Sequence, residues 1–443
     1  MKYHIQTFGC QMNVSDSDWL GRSLMSMGFE NTDSQDRADF FIINTCSVRE
    51  KPEQKVYSLL GRLKSYHEKN PLVFACVGGC VAQQVGKGFF ERFPFVRLVF
   101  GPDGLAMVPN ALQRLEQDQN LKISLLDFEV YYPVRADTWP DKMPPQAFVN
   151  IMQGCDNYCA YCIVPFTRGR QKSRPSEDVI HECSKLIELG TREITLLGQN
   201  VNSYGLDKNG MEISFARLLR KIDALPGLKR LRFTTSHPKD MSQEVINAFG
   251  ELDTLCPHLH LPLQSGSDRI LKNMGRKYTR EHYLELVTGL RKARPDIALS
   301  TDLIVGFPGE TDADFQDTLD MMNTVGFDSS FSFKYSDRPG VRSSLMTLKI
   351  SDEVKSHRLD ILQRLQKQWT EKRLSERVGT RDEVLIEGPS KKQKPGSSSW
   401  KGKDSGGRVV NIDFKSGEDL TGRILQVIFI RSKKHSLEGE VVA

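Results

Sequence analysis

The 443-residue sequence holds no run close to the roughly 20 consecutive apolar residues that a membrane-spanning helix needs. Its opening stretch, MKYHIQTFGC, is polar and lacks the apolar centre of a secretory signal. A cytoplasmic location, with no membrane contact, is the expectation. Cysteine is sparse and odd in number, nine in all, which argues against a secreted disulfide framework and for metal or redox chemistry. No internal repeat is present. Neither sign of charge dominates: 61 Lys and Arg face 56 Asp and Glu. The balance is uneven along the chain, however. From Arg342 to the end, 21 basic residues face 14 acidic ones, while the rest carries 40 against 42. All the net positive charge therefore lies in the last quarter, which suits contact with a polyanion. An ordinary solvated surface with a slight basic bias is the plainer alternative.

The length predicts more than one domain. Residues 1–118 alternate short apolar runs with helical patterns: KYHIQTFG, a helix over 16–27, FFIINTC, a helix over 53–69, LVFACVGGC and VRLVFG. Buried strands alternating with helices imply a parallel sheet covered on both faces, here a flavodoxin-like one. The stretch YYPVRADTWPDKMPPQ has four prolines and little periodicity, so 119–144 reads as a linker. Over 145–376 the βα alternation restarts. Six strand candidates are FVNIMQG, EITLLGQN, RLRFTTS, HLHLPLQS, ALSTDLIVGF and FSFKYS, with helices over 178–189 and 215–225 among the segments between them. Six such strands make an open sheet or a partial (β/α)6 barrel, with functional residues at the strands' C-terminal ends. A helix over 352–377 leads to a tail, 377–443, whose EVLIEG, RVVNIDF and RILQVIFI suggest a small all-β module. KKQKPGSSSWKGKDSGG within it reads as a mobile loop.

The stretch GCDNYCAYC packs Cys155, Cys159 and Cys162 into eight residues with C-x3-C-x2-C spacing. Two thiols suit a redox pair and four complete a tetrahedral zinc site. Three can hold a four-iron cluster while leaving one iron open to a further ligand. A zinc reading needs a fourth ligand. The loop has none, and His181 and Cys183 downstream fall on a helical pattern. A second trio, Cys10, Cys46 and Cys80, follows three different N-terminal strands in TFGCQMN, INTCSV and GGC. Strand ends of a parallel sheet converge on one crevice, so these three are candidates to meet there. Buried packing thiols are the alternative, and Cys76, Cys183 and Cys256 are read that way.

C-x3-C-x2-C with an aromatic residue, Tyr161, before the last cysteine resembles the radical S-adenosylmethionine enzymes. The pair of trios is similar to their methylthiotransferase family. TFGCQMN, INTCSVR, GCDNYCAYCIVPFTRGR, LLGQNVNSYG, TTSHP, LHLPLQSGSDRILKNMGRKYT, STDLIVGFPGET and FKYSDRPG carry the resemblance along the whole chain. QMN after Cys10, TSHP and YSDRPG bring it nearest the MiaB subgroup. The tail resembles a TRAM domain, which implies RNA binding and agrees with the charge count. Val341–Ser344 after YSDRPG, and the lysine-rich insertion, depart from the family pattern.

The resemblance implies methylthiolation of C2 of N6-isopentenyladenosine beside the anticodon of tRNA. It implies two 4Fe–4S clusters, one on each trio, and S-adenosylmethionine as both methyl donor and source of a 5′-deoxyadenosyl radical. An electron donor such as flavodoxin or ferredoxin, a sulfur donor and a monomeric state complete that expectation. The cofactor-binding candidates are Tyr161, Gly198, Gln199, Asn200, Ser236, Gln264, Gly306 and Gly309. The RNA-binding candidates are Lys391, Lys392 and Lys394. The alternatives are methylthiolation of threonylcarbamoyladenosine in tRNA or of a ribosomal-protein aspartate, and, as a non-enzyme, an RNA-binding iron–sulfur sensor.

Overall fold

The computed structural model describes residues 1–47, 50–135, 138–207, 211–391, 398–414 and 418–442. In the N-terminal part, alternation along FFIINT and FACVGG sends successive side chains to opposite faces of a sheet. Phe40, Ile42, Phe74 and Cys76 pack on one side with Trp19, Leu20 and Leu24 of the helix Gln11–Ser26. Phe41, Ile43, Ala75 and Val77 pack on the other with Val56, Leu59 and Leu63. The strands are β1 (Lys2–Phe8), β2 (Glu30–Asn31), β3 (Phe40–Thr45), β4 (Phe74–Gly79), β5 (Val96–Phe100) and β6 (Ile123–Leu125), all parallel in the order β2-β1-β3-β4-β5-β6. The first five follow the flavodoxin-like order, with its switch point between β1 and β3. The sixth belongs to the stretch 119–144 expected to be a linker. The run ISL is too short to register as a strand without its partner β5 beside it.

The central part holds the six anticipated parallel strands. With the short pair β8 (Met152–Gln153) and β9 (Lys172–Ser173) set aside, they are β7 (Gln146–Asn150), β10 (Glu193–Leu197), β11 (Arg230–Thr234), β12 (His258–His260), β13 (Ala298–Val305) and β14 (Ser329–Lys334). Two three-stranded sheets, β11-β10-β7 and β12-β13-β14, are stitched by Leu231 N–H to Thr254 O at 2.8 Å and Cys256 N–H to Leu231 O at 2.9 Å. The result is an open half-barrel. Its outer face packs on helices such as Phe215–Asp223 and Gln243–Glu251 through Leu231, Phe233, Phe215 and Phe249.

The tail closes into a five-stranded barrel: β15 (Arg381–Pro389), β16 (Ser398–Lys403), β17 (Val409–Phe414), β18 (Ile424–Ser432) and β19 (Leu437–Val441), in the order β15-β16-β17-β19-β18. β16 corrects the expectation of a mobile loop over SSWKGK. Trp400 is driven into the core beside Val384, Ile412 and Val427, and that burial outweighs the polar composition around it. Residues 392–397 lie outside the described ones.

Two polar seams join the parts. At the first, Lys172 Nζ is buried against Asp103, 2.6 and 2.7 Å from its two carboxylate oxygens. At the second, the small barrel sits against the N-terminal ends of the half-barrel strands. Arg230 donates to Lys403 O at 2.9 Å and Glu383 O at 2.6 Å, and Arg232 to Asp404 O at 3.0 Å. Glu193 lies between the two guanidiniums, 3.7 Å from Arg230 and 3.1 Å from Arg232. Arg408 reaches Asp328 at 2.6 Å. These side chains close the floor of the half-barrel.

Candidate active site

The N-terminal trio does converge. Cys10 ends the turn after β1, Cys46 follows β3 and Cys80 follows β4. Cys46 stands within hydrogen-bonding reach of both other thiols. Hydrogen bonding from Cys46 is the largest influence drawing the Cys10 thiol down to about 6 and the Cys80 thiol to about 5, with the Arg168 guanidinium adding to both. Cys46 is pushed up, first by its hydrogen bonds to Cys10 and Cys80 and then by burial. The floor beneath them is a buried amide network. Asn13 Oδ1 accepts from Cys10 N–H at 3.3 Å, and Asn13 Nδ2 donates to Asn44 Oδ1 and Thr45 O, both at 3.1 Å. Gly79, just before Cys80, has φ +87°, and a Cβ there would meet Thr45 O at 2.2 Å, so only glycine allows the approach.

The central trio lies on the loop after β7 and β8, at the half-barrel mouth. Cys155 and Cys162 are half-buried and Cys159 is buried. Burial pushes the Cys155 thiol up to about 11 and the Cys162 thiol to about 12. A cation is already in place: Arg276, buried, points Nη1 at Cys159 Sγ at 3.6 Å while Nη2 donates to Pro262 O at 2.9 Å. The loop is closed on itself by Cys155 N–H to Gly169 O at 3.4 Å and by the Arg170–Asp156 pair at 2.7 and 3.0 Å. Among the described residues no group of three or more His, Cys, Asp or Glu is arranged to hold a single metal ion. The donor chemistry, three thiols and a buried guanidinium at each centre, suits an anionic iron–sulfur cluster.

The cofactor candidates fall into two groups. Around the mouth, Asn200 Oδ1, Thr235 Oγ1, Ser236 Oγ and His237 Nε2 are buried with no hydrogen-bond partner among the described residues. Four such atoms on adjoining strand ends suit a ligand rich in amino, carboxylate and hydroxyl groups. Asn200 Nδ2 is fixed by Asp240 at 2.7 Å. Gln264, buried with φ +70°, bridges β13 through its backbone. Tyr161 packs beside Ala160, Met274 and Phe307. The second group is already engaged in scaffolding. Gln199 Oε1 accepts from Gly154 N–H at 2.7 Å, and Gln199 also meets Met12 of the N-terminal part. At Gly198 a Cβ would strike Met152 Cγ at 2.4 Å. Gly306 N–H donates to Glu310 and Gly309 N–H to Leu348 O at 2.7 Å, so both glycines shape their own turn. Lys391 is exposed at the end of β15, and Lys392 and Lys394 lie outside the described residues.

Three side chains escaped the sequence reading: Arg168, Arg276 and His237. Burial pushes His237 down to about 2, so its imidazole is neutral. Nδ1 accepts from Lys239 N–H at 3.1 Å, which leaves the proton on Nε2, facing the mouth. The signal available was the motifs themselves, FTRGR, NMGRKYT and TTSHP, which set a charged or imidazole side chain beside glycine or proline at a loop.

The Radical SAM superfamily matches residues 149–322, the Uncharacterized protein family UPF0004 residues 2–101 and the TRAM domain residues 375–442. The chain is 58% identical over 439 residues to a tRNA-2-methylthio-N(6)-dimethylallyladenosine synthase of Nitratidesulfovibrio vulgaris, covering 99% of this chain and 98% of that one. Its likeness to the synthase of the same name from Geobacter sulfurreducens is 46%, covering 99% and 97%. Among solved structures, the radical S-adenosylmethionine methyltransferase TsrM from Kitasatospora setae, with cobalamin and a 4Fe–4S cluster bound, superposes with a TM-score of 0.57 at 14% identity, over 78% of this chain and 77% of that one. At that identity the likeness is one of fold. No helix among the described residues is long and apolar enough to cross a membrane.

Proposed function

The chain belongs to the family of tRNA-2-methylthio-N(6)-dimethylallyladenosine synthases, and from that membership we propose that it places a methylthio group on C2 of N6-isopentenyladenosine beside the anticodon of tRNA. The observation that carries this reading is the pair of thiol trios, each facing a buried arginine, one at the half-barrel mouth and one at three strand ends of a second domain. Cys155, Cys159 and Cys162 hold one 4Fe–4S cluster, and Cys10, Cys46 and Cys80 a second. When bound, the first cluster supplies the electron that turns S-adenosylmethionine into a radical source, and the second supplies the sulfur. An adenine C2–H is beyond acid–base chemistry at neutral pH, so a radical is required and the protein's task is orientation.

Asn200, Ser236 and His237 offer their unpaired atoms to S-adenosylmethionine, with Gln264 behind them and Tyr161 beside the adenine. Gly198, Gln199, Gly306 and Gly309 hold the surrounding turns. The target base leaves its stack to reach the mouth, which an anticodon loop permits at small cost. The units are 1–118, 145–376 and 377–443, and the last, with Lys391, Lys392 and Lys394, grips the RNA backbone. A flavodoxin or ferredoxin as reductant, a sulfur donor, a monomeric state and a cytoplasmic setting complete the proposal.

Changing Cys155, Cys159 and Cys162 together to Ala is expected to abolish 5′-deoxyadenosine formation and leave about four irons per chain, one cubane. Changing Cys10, Cys46 and Cys80 should retain cofactor cleavage with no methylthio product. Nucleoside mass spectrometry of tRNA and assay of ribosomal protein read out the product. Modified threonylcarbamoyladenosine or aspartate in place of isopentenyladenosine overturns the substrate assignment, and an absence of deoxyadenosine from the reduced wild type overturns catalysis.

A further inference from the structure

Arg168 stands on the loop that begins at Cys155, yet it serves the other domain. The short helix Val164–Thr167 packs against the helix Cys80–Val85. Arg168, next in sequence, is thereby carried to the N-terminal thiols, with only 4% of its side chain exposed. Its nearest carboxylate is Asp16, where Oδ2 lies 3.7 Å from Nη2, too far for a hydrogen bond. Asp16 is already engaged through Oδ1, which accepts from Arg135 Nη2 at 2.8 Å and Asn150 Nδ2 at 3.1 Å. Arg168 Nη2 is consequently buried with no well-aligned hydrogen-bond partner among the described residues, while the guanidinium as a whole lies within reach of the Cys80 thiol. A buried donor left unmade is costly, the more so on a charged group. Such an atom is understandable where an anion arrives to meet it. The adjacent groups are the thiols of Cys10, Cys46 and Cys80, which the packing of the two short helices brings to the guanidinium.

We propose that Arg168 is the cationic positioning residue of the N-terminal centre, its Nη2 donating to an anionic sulfur held there and its charge stabilising the reduced state of the cluster. This rests on the reading that Cys10, Cys46 and Cys80 hold a 4Fe–4S cluster. The loop then has two duties. Its first half presents Cys155, Cys159 and Cys162, and its second half supplies a guanidinium to the other centre. The closure of Cys155 N–H on Gly169 O couples the two halves. Lysine keeps the charge but not the planar fork, so Arg168→Lys separates charge from hydrogen-bond geometry.

The test uses the full chain with Cys155, Cys159 and Cys162 changed to Ala, so that only the N-terminal centre loads. Three versions are reconstituted with iron and sulfide under anaerobic conditions: Arg168, Arg168→Gln and Arg168→Lys. Iron content, midpoint potential and the thermal melt of the metal-free protein are measured. The expected result is equal iron in all three, a more negative potential in Arg168→Gln, and a potential near the parent's in Arg168→Lys. Reduced loading of Arg168→Gln at an unchanged melting temperature, with Arg168→Lys loading fully, also supports the role. An unshifted potential in an iron-loaded Arg168→Gln overturns it. So does loss of iron in step with loss of fold in both variants, which makes Arg168 a packing residue. A parent that takes up no iron overturns the cluster assignment itself, an outcome distinct from the others.

Discussion

His237 is buried at the mouth, with no opposite charge acting on it among the described residues, and its pKa is pushed down to about 2 by burial first and then by Arg276. Unfolded, the same side chain titrates near 6.5. The unfolded chain therefore binds more protons than the folded one between those two values. Stability from this group is complete above pH 6.5 and is lost as pH falls toward 2. His258, pushed down to about 3, acts in the same sense. From pH 7 to pH 5 His237 alone accounts for a loss of about 2 kcal/mol. Urea unfolding at the two pH values is expected to show a shallower pH dependence in His237→Gln than in the wild type. An identical pH dependence would mean that the imidazole takes up its proton at the same pH whether folded or unfolded. At this scale the six cysteines were legible because their spacing and strand-end positions are properties of the chain order. Arg168, Arg276 and His237 were not, since a guanidinium or imidazole acquires its role from what approaches it in three dimensions.

The helix Asp352–Ser375 returns along the half-barrel and clamps the turn after β13. Arg358 on it is buried 2.7 Å from Glu310 of GFPGE, whose carboxyl is pushed up by burial despite that pair. Removing one member of a buried pair strands the other, at about 3–5 kcal/mol. Arg358→Ala is expected to cost that much in denaturant unfolding, while Arg358→Met combined with Glu310→Gln recovers most of it. Equal losses in the single and double variants would show that the packing of the Arg358 stem, not its charge, is what matters. Elements with strong periodicity, such as this helix and the six half-barrel strands, were readable from sequence to within a few residues. The helix expected over 16–27 begins at Gln11 instead, because Cys10 caps it through a reciprocal contact with Asn13. β6 and β16 were missed for a related reason. Each is short or polar, and becomes a strand through a neighbour distant in sequence.

At the scale of the whole molecule, the C-terminal barrel is part of the central fold as well as the proposed RNA-binding module. Cutting the chain after Gly379 deprives Arg230 and Arg232 of three carbonyl acceptors, each buried donor costing roughly 1–3 kcal/mol if left unmade. The truncated enzyme is expected to melt at a lower temperature than the full chain in calorimetry, in addition to binding tRNA more weakly. Equal melting temperatures would mean that water replaces the three carbonyls fully. The tail's β class was visible in its valine and isoleucine runs. Its docking was not, because the groups that accept from Arg230 and Arg232 are main-chain oxygens, which every sequence possesses.

That floor also makes the half-barrel a blind well. Arg230, Arg232, Glu193 and Asp404 are all buried at its base, where the C-terminal barrel docks. Whatever enters at the mouth leaves by the mouth. In the proposed reaction the spent halves of S-adenosylmethionine and the everted nucleotide share one exit, so traffic there is a queue.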